Sequence, residues 1–266
     1  MAQISILGCG WLGFPLALSL QRKGHAIHGS TTTKNKLETL EESAIEPFLI
    51  HLTENNVEGN IHSFLDGSDV LILDIPPKMR NNPSLSFSTK IKTLIPFIKA
   101  SSVKRVLFVS STSVFSDDQG RVNEDTIPLP ATTSGKELLK SEKFLTENMH
   151  FQTTILRFGG LTGDDRHPVN YLAGRKNISG ANAPVNLIQQ EDCIGIIEEI
   201  IHRDSWGHVF HGVHPEHPSK EVYYTRKADE YGLEPPQFKE EAHADYKTVD
   251  SINLGKYLHY RFKTQP

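Results

Sequence analysis

Gly8-Cys9-Gly10-Trp11-Leu12-Gly13 follows the apolar run ISIL (4–7) and opens a segment with leucines at positions 12, 16 and 20. A short β-branched run that passes through glycines spaced G-x-G-x-x-G into a helical period reads as a strand, a tight turn and a helix. Each glycine has its own physical reason. Gly8 permits the sharp turn, Gly10 leaves the backbone bare to a phosphate group, and Gly13 lets the helix pack closely on the strand. Free N–H groups and the positive end of the helix dipole then point at the anion. Gly8, Gly10, Trp11, Leu12 and Gly13 are therefore expected to hold the pyrophosphate of a dinucleotide.

Outward from this turn, residues 26–29, 48–52, 70–74, 106–110 and 153–156 repeat the strand pattern. Helical spacing lies between them at Phe87, Ile91, Leu94 and Ile98, and at Leu138, Leu145 and Met149. Strand and helix in alternation imply a parallel sheet covered on both faces, because parallel neighbours need a crossover. The expected fold is α/β, a Rossmann-type doubly wound parallel sheet over residues 1–157. Gly159, Gly160, Gly163 and Pro168 then break the rhythm, and a smaller α/β substrate lobe is expected over residues 158–266, with one clear helix pattern at 194–201.

The end of the second strand selects the dinucleotide, since an acidic residue there binds the ribose 2′-hydroxyl of NAD. No Asp or Glu precedes Glu38, and Ser30-Thr31-Thr32-Thr33-Lys34 offers hydroxyls followed by a cation. That set suits a 2′-phosphate, so Ser30, Thr31, Thr32 and Lys34 are expected in the cofactor site, with NADP preferred over NAD. Ile75, Pro76 and Pro77 follow the fourth strand and give a stiff loop, lacking two N–H donors, against which the cofactor is expected to pack.

The 266 residues carry 28 basic and 32 acidic side chains, a formal charge of −4. Such a balance gives no general field to gather a nucleic acid. No run of about 18 apolar residues spans a bilayer, the first basic residue is Arg22, and Cys9 and Cys193 are too few for a multi-bridge secreted framework. These features predict a cytoplasmic protein whose partner is a small-molecule substrate, with no nucleic acid and no membrane. His208, His211, His214 and His217 recur every third residue, but Pro215 and Pro218 stop a helix from spanning them and a strand would send alternate members to opposite faces. No metal site is expected.

VLFVSSTSVF (106–115) resembles the fifth strand and following loop of the extended short-chain dehydrogenase/reductase superfamily, which includes nucleotide-sugar epimerases and dehydratases. GRVNEDTIPLP (120–130) is similar to the loop these proteins carry before the catalytic helix. NLIQQED (186–192) is similar to their Asn-x-Ile-His-x-x-Asp segment, with Gln189 in place of histidine. VDSIN (249–253), with Leu258 and Phe262, resembles their closing segment. The resemblance implies a homodimer, Ser110 and Ser111 beside the cofactor, and Ser111 as the hydroxyl that orients a substrate oxygen.

The superfamily's Tyr-x-x-x-Lys pair is missing. Alignment through Glu142 puts Ser134 and Leu138 at its two positions, and the chain has no tyrosine before Tyr171. The sequence therefore resembles the atypical members that keep the glycine motif and the fold without the tyrosine. A serine has too high a pKa to exchange protons near neutrality, so Arg166 and His167, beyond the sixth strand, are the candidates to join Ser111 in catalysis. Two functions stay open: an NAD(P)-binding, epimerase/dehydratase-like oxidoreductase acting on a small carbonyl or hydroxyl compound, and a non-catalytic NADP-binding or redox-sensing protein.

Overall fold

The computed structural model describes residues 1–77, 86–240 and 246–266. The chain begins with β1 (Gln3–Leu7), α1 (Gly13–Arg22), β2 (Ala26–Thr31), α2 (Lys36–Glu42) and β3 (Glu46–Leu49). A small antiparallel pair, β4 (His51–Leu52) and β5 (Val57–Glu58), leads to α3 (Ile61–Leu65). β6 (Val70–Leu73), α4 (Phe87–Lys99), β7 (Arg105–Ser111), β8 (Arg121–Val122), α5 (Thr133–Thr146) and β9 (Gln152–Phe158) follow. The remainder comprises β10 (Gly160–Thr162), α6 (Val169–Leu172), β11 (Leu187–Gln189), α7 (Gln190–His202), β12 (Val209–Gly212), α8 (Lys220–Glu230) and β13 (Thr248–Val249), then a π-helical turn over Leu254–Leu258.

Seven strands form the central sheet in the order β12-β9-β7-β6-β1-β2-β3, and every pairing is parallel. β6, reading VLIL, is buried along its whole length, as a central strand must be when helices cover both faces. Ile91, Leu94 and Ile98 of α4 and Leu138 and Leu145 of α5 pack one face. Leu16 and Leu20 of α1 and Ile196 and Ile200 of α7 pack the other. Met149, placed on the α5 face by spacing, is exposed, because the helix stops at Thr146 and its period no longer applies.

The sheet continues beyond residue 157. β12 pairs with β9 from Val209 opposite Ile155 to Gly212 opposite Phe158, so the second half of the chain leaves the sheet, builds a lobe and returns. The two parts of the chain on either side of residue 157 therefore share one sheet. The lobe has its own small core of Val169, Val185, Leu187, Tyr223, Tyr224 and Ala228.

Glu142 of α5 and Arg157 of β9 form a buried ion pair, with Nη2 to Oε2 at 2.7 Å and Nε to Oε1 at 3.0 Å. Both side chains are nearly inaccessible, so removing one leaves the other charged, buried and alone. Glu142→Leu is expected to cost about 3–5 kcal/mol, seen as a lower urea midpoint. Adding Arg157→Met is expected to restore much of that stability; a double variant weaker than the single one would show that the pair's charge is not the cause.

Candidate functional site

In an open parallel sheet the crevice for ligands lies beyond the carboxyl ends of the strands, where neighbouring connections diverge. Here β1 stands between β2 and β6, and residues 8–13 and 74–77 meet at that point. Gly8 has φ +113°, and a Cβ on it would overlap the Asp74 carbonyl oxygen. A Cβ on Gly13 would overlap the carbonyl of Gly8, whereas one on Gly10 would meet nothing within 4 Å. Two glycines thus hold the shape of the turn and the third leaves an open cradle. At the start of α1 the Gly13 N–H bonds the Asp74 carboxyl, the Phe14 N–H bonds the Gly10 carbonyl and Pro15 has none, so it is the positive end of the helix dipole that favours an anion there. These features fit the pyrophosphate of a dinucleotide.

The residues at the end of β2 and just beyond it divide. Ser30 is buried, with its Oγ accepting from Gly8 N–H at 3.0 Å and its carbonyl oxygen from Cys9 N–H at 2.7 Å. Thr31 is buried too, and its Oγ1 accepts from Thr33 N–H at 3.0 Å. Both hydroxyls thus accept from backbone N–H groups and help to shape the turn. Thr32, Thr33 and Lys34 are exposed.

Asp74 escaped the sequence reading, because an acid at a strand end gives no sign of which way it faces. Its carboxyl is part-buried and accepts from Gly13 N–H, and Oδ2 lies 3.1 Å from where a Gly13 Cβ would stand. Burial pushes its pKa up to about 7, with the Gly13 N–H pulling the other way. Burial and the charge of Asp74 push the Cys9 thiol up to about 12, and Cys193 is raised well above its ordinary value in the same way. Neither thiol is a nucleophile near neutrality. Ile75 packs on the turn, with Cγ2 3.1 Å from a Gly8 Cβ position, while Pro76 is exposed and Pro77 half-buried.

The residues expected to do chemistry do not converge. Ser110 is buried and its Oγ donates to Glu142 Oε1 at 2.6 Å. Ser111, half-buried at the end of β7, accepts from Ser113 N–H at 3.1 Å and caps the 3-10 turn Thr112–Val114. A Cβ on Gly135 would overlap the Ser113 carbonyl, so the first turn of α5 packs closely on that segment. Leu138 is only 3% exposed and belongs to the core.

His167 is only 3% exposed. Its Nδ1 accepts from Val169 N–H at 3.1 Å, so Nε2 carries the proton and donates to the Tyr223 hydroxyl at 2.9 Å. Burial, helped by the charge of Lys227, lowers its pKa to about 4. The ring is neutral at neutral pH and belongs to the lobe's interior. Arg166 is exposed with its guanidinium 5.0 Å from the Trp11 ring centre. It stands by the turn after β1, two strands from Ser111, or about 10 Å across the sheet.

The four histidines have separate partners: His208 stacks on Tyr257, His211 bonds the Asp250 carbonyl, His214 meets the Phe262 ring and His217 bonds the Val185 carbonyl. Among the described residues no group of three His, Cys, Asp or Glu side chains is placed to hold a metal. Among them, too, no helix is long and apolar enough to cross a membrane.

Comparison with known proteins supplies the family. The model of the NAD(P)H-binding family matches residues 10–188. Protein YeeZ of Escherichia coli strain K12 is 33% identical over 267 residues, covering 99% of this chain and 96% of that one. Among solved structures, the UDP-glucuronic acid 4-epimerase from Bacillus cereus in complex with NAD has a TM-score of 0.82 at 17% identity, over 99% of this chain and 92% of that chain. A conserved protein of unknown function from Silicibacter pomeroyi has a TM-score of 0.80 at 21% identity, over 99% and 94%. At such identities the likeness is one of fold. By sequence the chain belongs to the NAD(P)H-binding family, and it is built on the fold of the extended short-chain dehydrogenases/reductases.

Proposed function

We propose that this protein is an NADP-preferring oxidoreductase of epimerase/dehydratase type, acting on a small carbonyl or hydroxyl compound without a Tyr–Lys pair. The observation that carries the reading is the open backbone at Gly10 just before the start of α1. Thr32 and Lys34, exposed at the end of the adjacent β2, offer a hydroxyl and a cation to a 2′-phosphate. Epimerases of UDP-sugars share the fold, which supports a substrate with a hydroxyl or carbonyl group.

A bound dinucleotide supplies hydride transfer in such a site. The chain's own part is to hold it at Gly10, to face its 2′-phosphate with Lys34, and to orient a substrate oxygen with Ser111. The Ser111 lone pair already engages Ser113 N–H, which leaves the hydroxyl proton to donate outward. Ser134 and the buried Leu138, where the superfamily has tyrosine and lysine, favour the second reading of a non-catalytic or redox-sensing protein.

Calorimetric titration with NADP and NAD, followed by NADPH oxidation across a panel of carbonyl compounds, separates the two. Lys34→Ala is expected to weaken NADP by about 10- to 150-fold and to spare NAD, because one charge-assisted hydrogen bond is lost. Equal losses for both would remove Lys34 from the 2′-phosphate. Ser111→Ala is expected to lower turnover with dinucleotide affinity intact. Full binding with no turnover on any compound selects the sensor.

A further inference from the structure

Trp11 joins the glycine turn to the second lobe. Its Nε1–H donates to Asp165 Oδ1 at 2.8 Å, its carbonyl oxygen accepts from Gln190 Nε2 at 2.6 Å, and a Cβ on Gly163 would stand 2.7 Å from its Cζ2. Residues 163–166 form a turn closed in both directions, with Gly163 N–H to the Arg166 carbonyl at 2.8 Å and Arg166 N–H to the Gly163 carbonyl at 3.0 Å. The backbone of Arg166 is therefore fixed against the indole. Its guanidinium lies over the ring at 5.0 Å, within cation–π range.

We infer that Arg166, delivered by the second lobe and held over Trp11, binds the pyrophosphate of a dinucleotide seated on the glycine turn. The inference rests on the dinucleotide-binding reading above and names the group that completes that site. A pyrophosphate brings two negative charges, and a helix end offers only about half a unit of opposite charge. The indole face orders the guanidinium, while one oxygen of Asp165, the adjacent carboxylate, is taken by the indole N–H. Trp11 directly follows Gly10, so the indole that carries the cation belongs to the residue next to the open backbone. Its planar fork matches two phosphate oxygens. An arginine also keeps its proton at any working pH, which suits it to bind an anion and not to serve as the missing acid.

The test is calorimetric titration of the full chain with NADPH and with NADH at two salt concentrations. Arg166→Gln is expected to weaken both by the same factor, about 10- to 100-fold, and to make binding less sensitive to salt. Arg166→Lys is expected to recover part of the loss at low salt, as charge returns without the fork. Unchanged affinity in Arg166→Gln overturns the inference and leaves the dinucleotide reading standing. So does a loss confined to NADPH, which would move Arg166 to the 2′-phosphate, or a loss that lysine does not relieve, which would mark a packing role. If the unaltered protein binds neither dinucleotide, the inference falls together with the reading beneath it.

Discussion

Gly10→Val is expected to abolish dinucleotide binding in a protein that still folds. The new side chain meets no protein atom within 4 Å of its Cβ, and Gly10 is not among the glycines with positive φ, so neither packing nor backbone strain opposes it. The same branched side chain stands where the pyrophosphate must approach. A steric cost of about 4 kcal/mol already corresponds to roughly a thousandfold loss of affinity. Gly8→Val is the contrasting control: its φ of +113° and the Asp74 carbonyl beside it make that substitution a folding defect. Calorimetry showing equal affinity for Gly10→Val and the parent would place the dinucleotide elsewhere.

Asp74→Asn is expected to stabilise the protein at pH 8 and to leave it unchanged at pH 4. The unfolded chain releases this proton near the ordinary 3.8 and the folded protein near about 7. Between those values the folded state holds the extra proton, so stability falls as pH rises through the window and stays low above it. At 1.36 kcal/mol per pH unit the full effect is roughly 4 kcal/mol. Asparagine keeps an oxygen for Gly13 N–H and carries no charge. Its melting temperature at pH 8 is expected to exceed the parent's by about 8–16 °C, from about 2–4 °C per kcal/mol in a chain of this size. A gain of the same size at pH 4 would assign the effect to packing and not to the buried charge.

The six strands from β1 to β9 in the central sheet were legible because each is a short apolar run between helical periods, the mark of a parallel sheet buried on both faces. β12 was not. Its sequence, VFHG, sits among histidines and prolines, and His211 is tolerated inside only because Asp250 and Arg157 reach it. The glycine turn was legible because each glycine answers a local need. The directions of Ser30, Thr31 and Ser110 were not, since a hydroxyl at a strand end can satisfy the turn or face outward equally well. The partner of Trp11 lies 154 positions away at Asp165, and no local pattern encodes such a meeting. His167 was read as a candidate for catalysis from its place beyond the sixth strand, while its ring bonds Tyr223 from α8, a helix that the sequence did not reveal.

The late return of β12 has a consequence for how the chain is made. Until Val209 to Gly212 emerge, β9 is the margin of the growing sheet, with a row of N–H and carbonyl groups open to any other extended chain. Roughly 50 residues separate the two strands, which at about 5–20 residues per second leaves that margin uncovered for several seconds of synthesis. A ribosome-bound or proteolytically clipped fragment ending near residue 157 would carry the whole nucleotide-binding turn and still be sticky. Expression of such a fragment is expected to yield inclusion bodies, while chains extended past β12 remain in the supernatant.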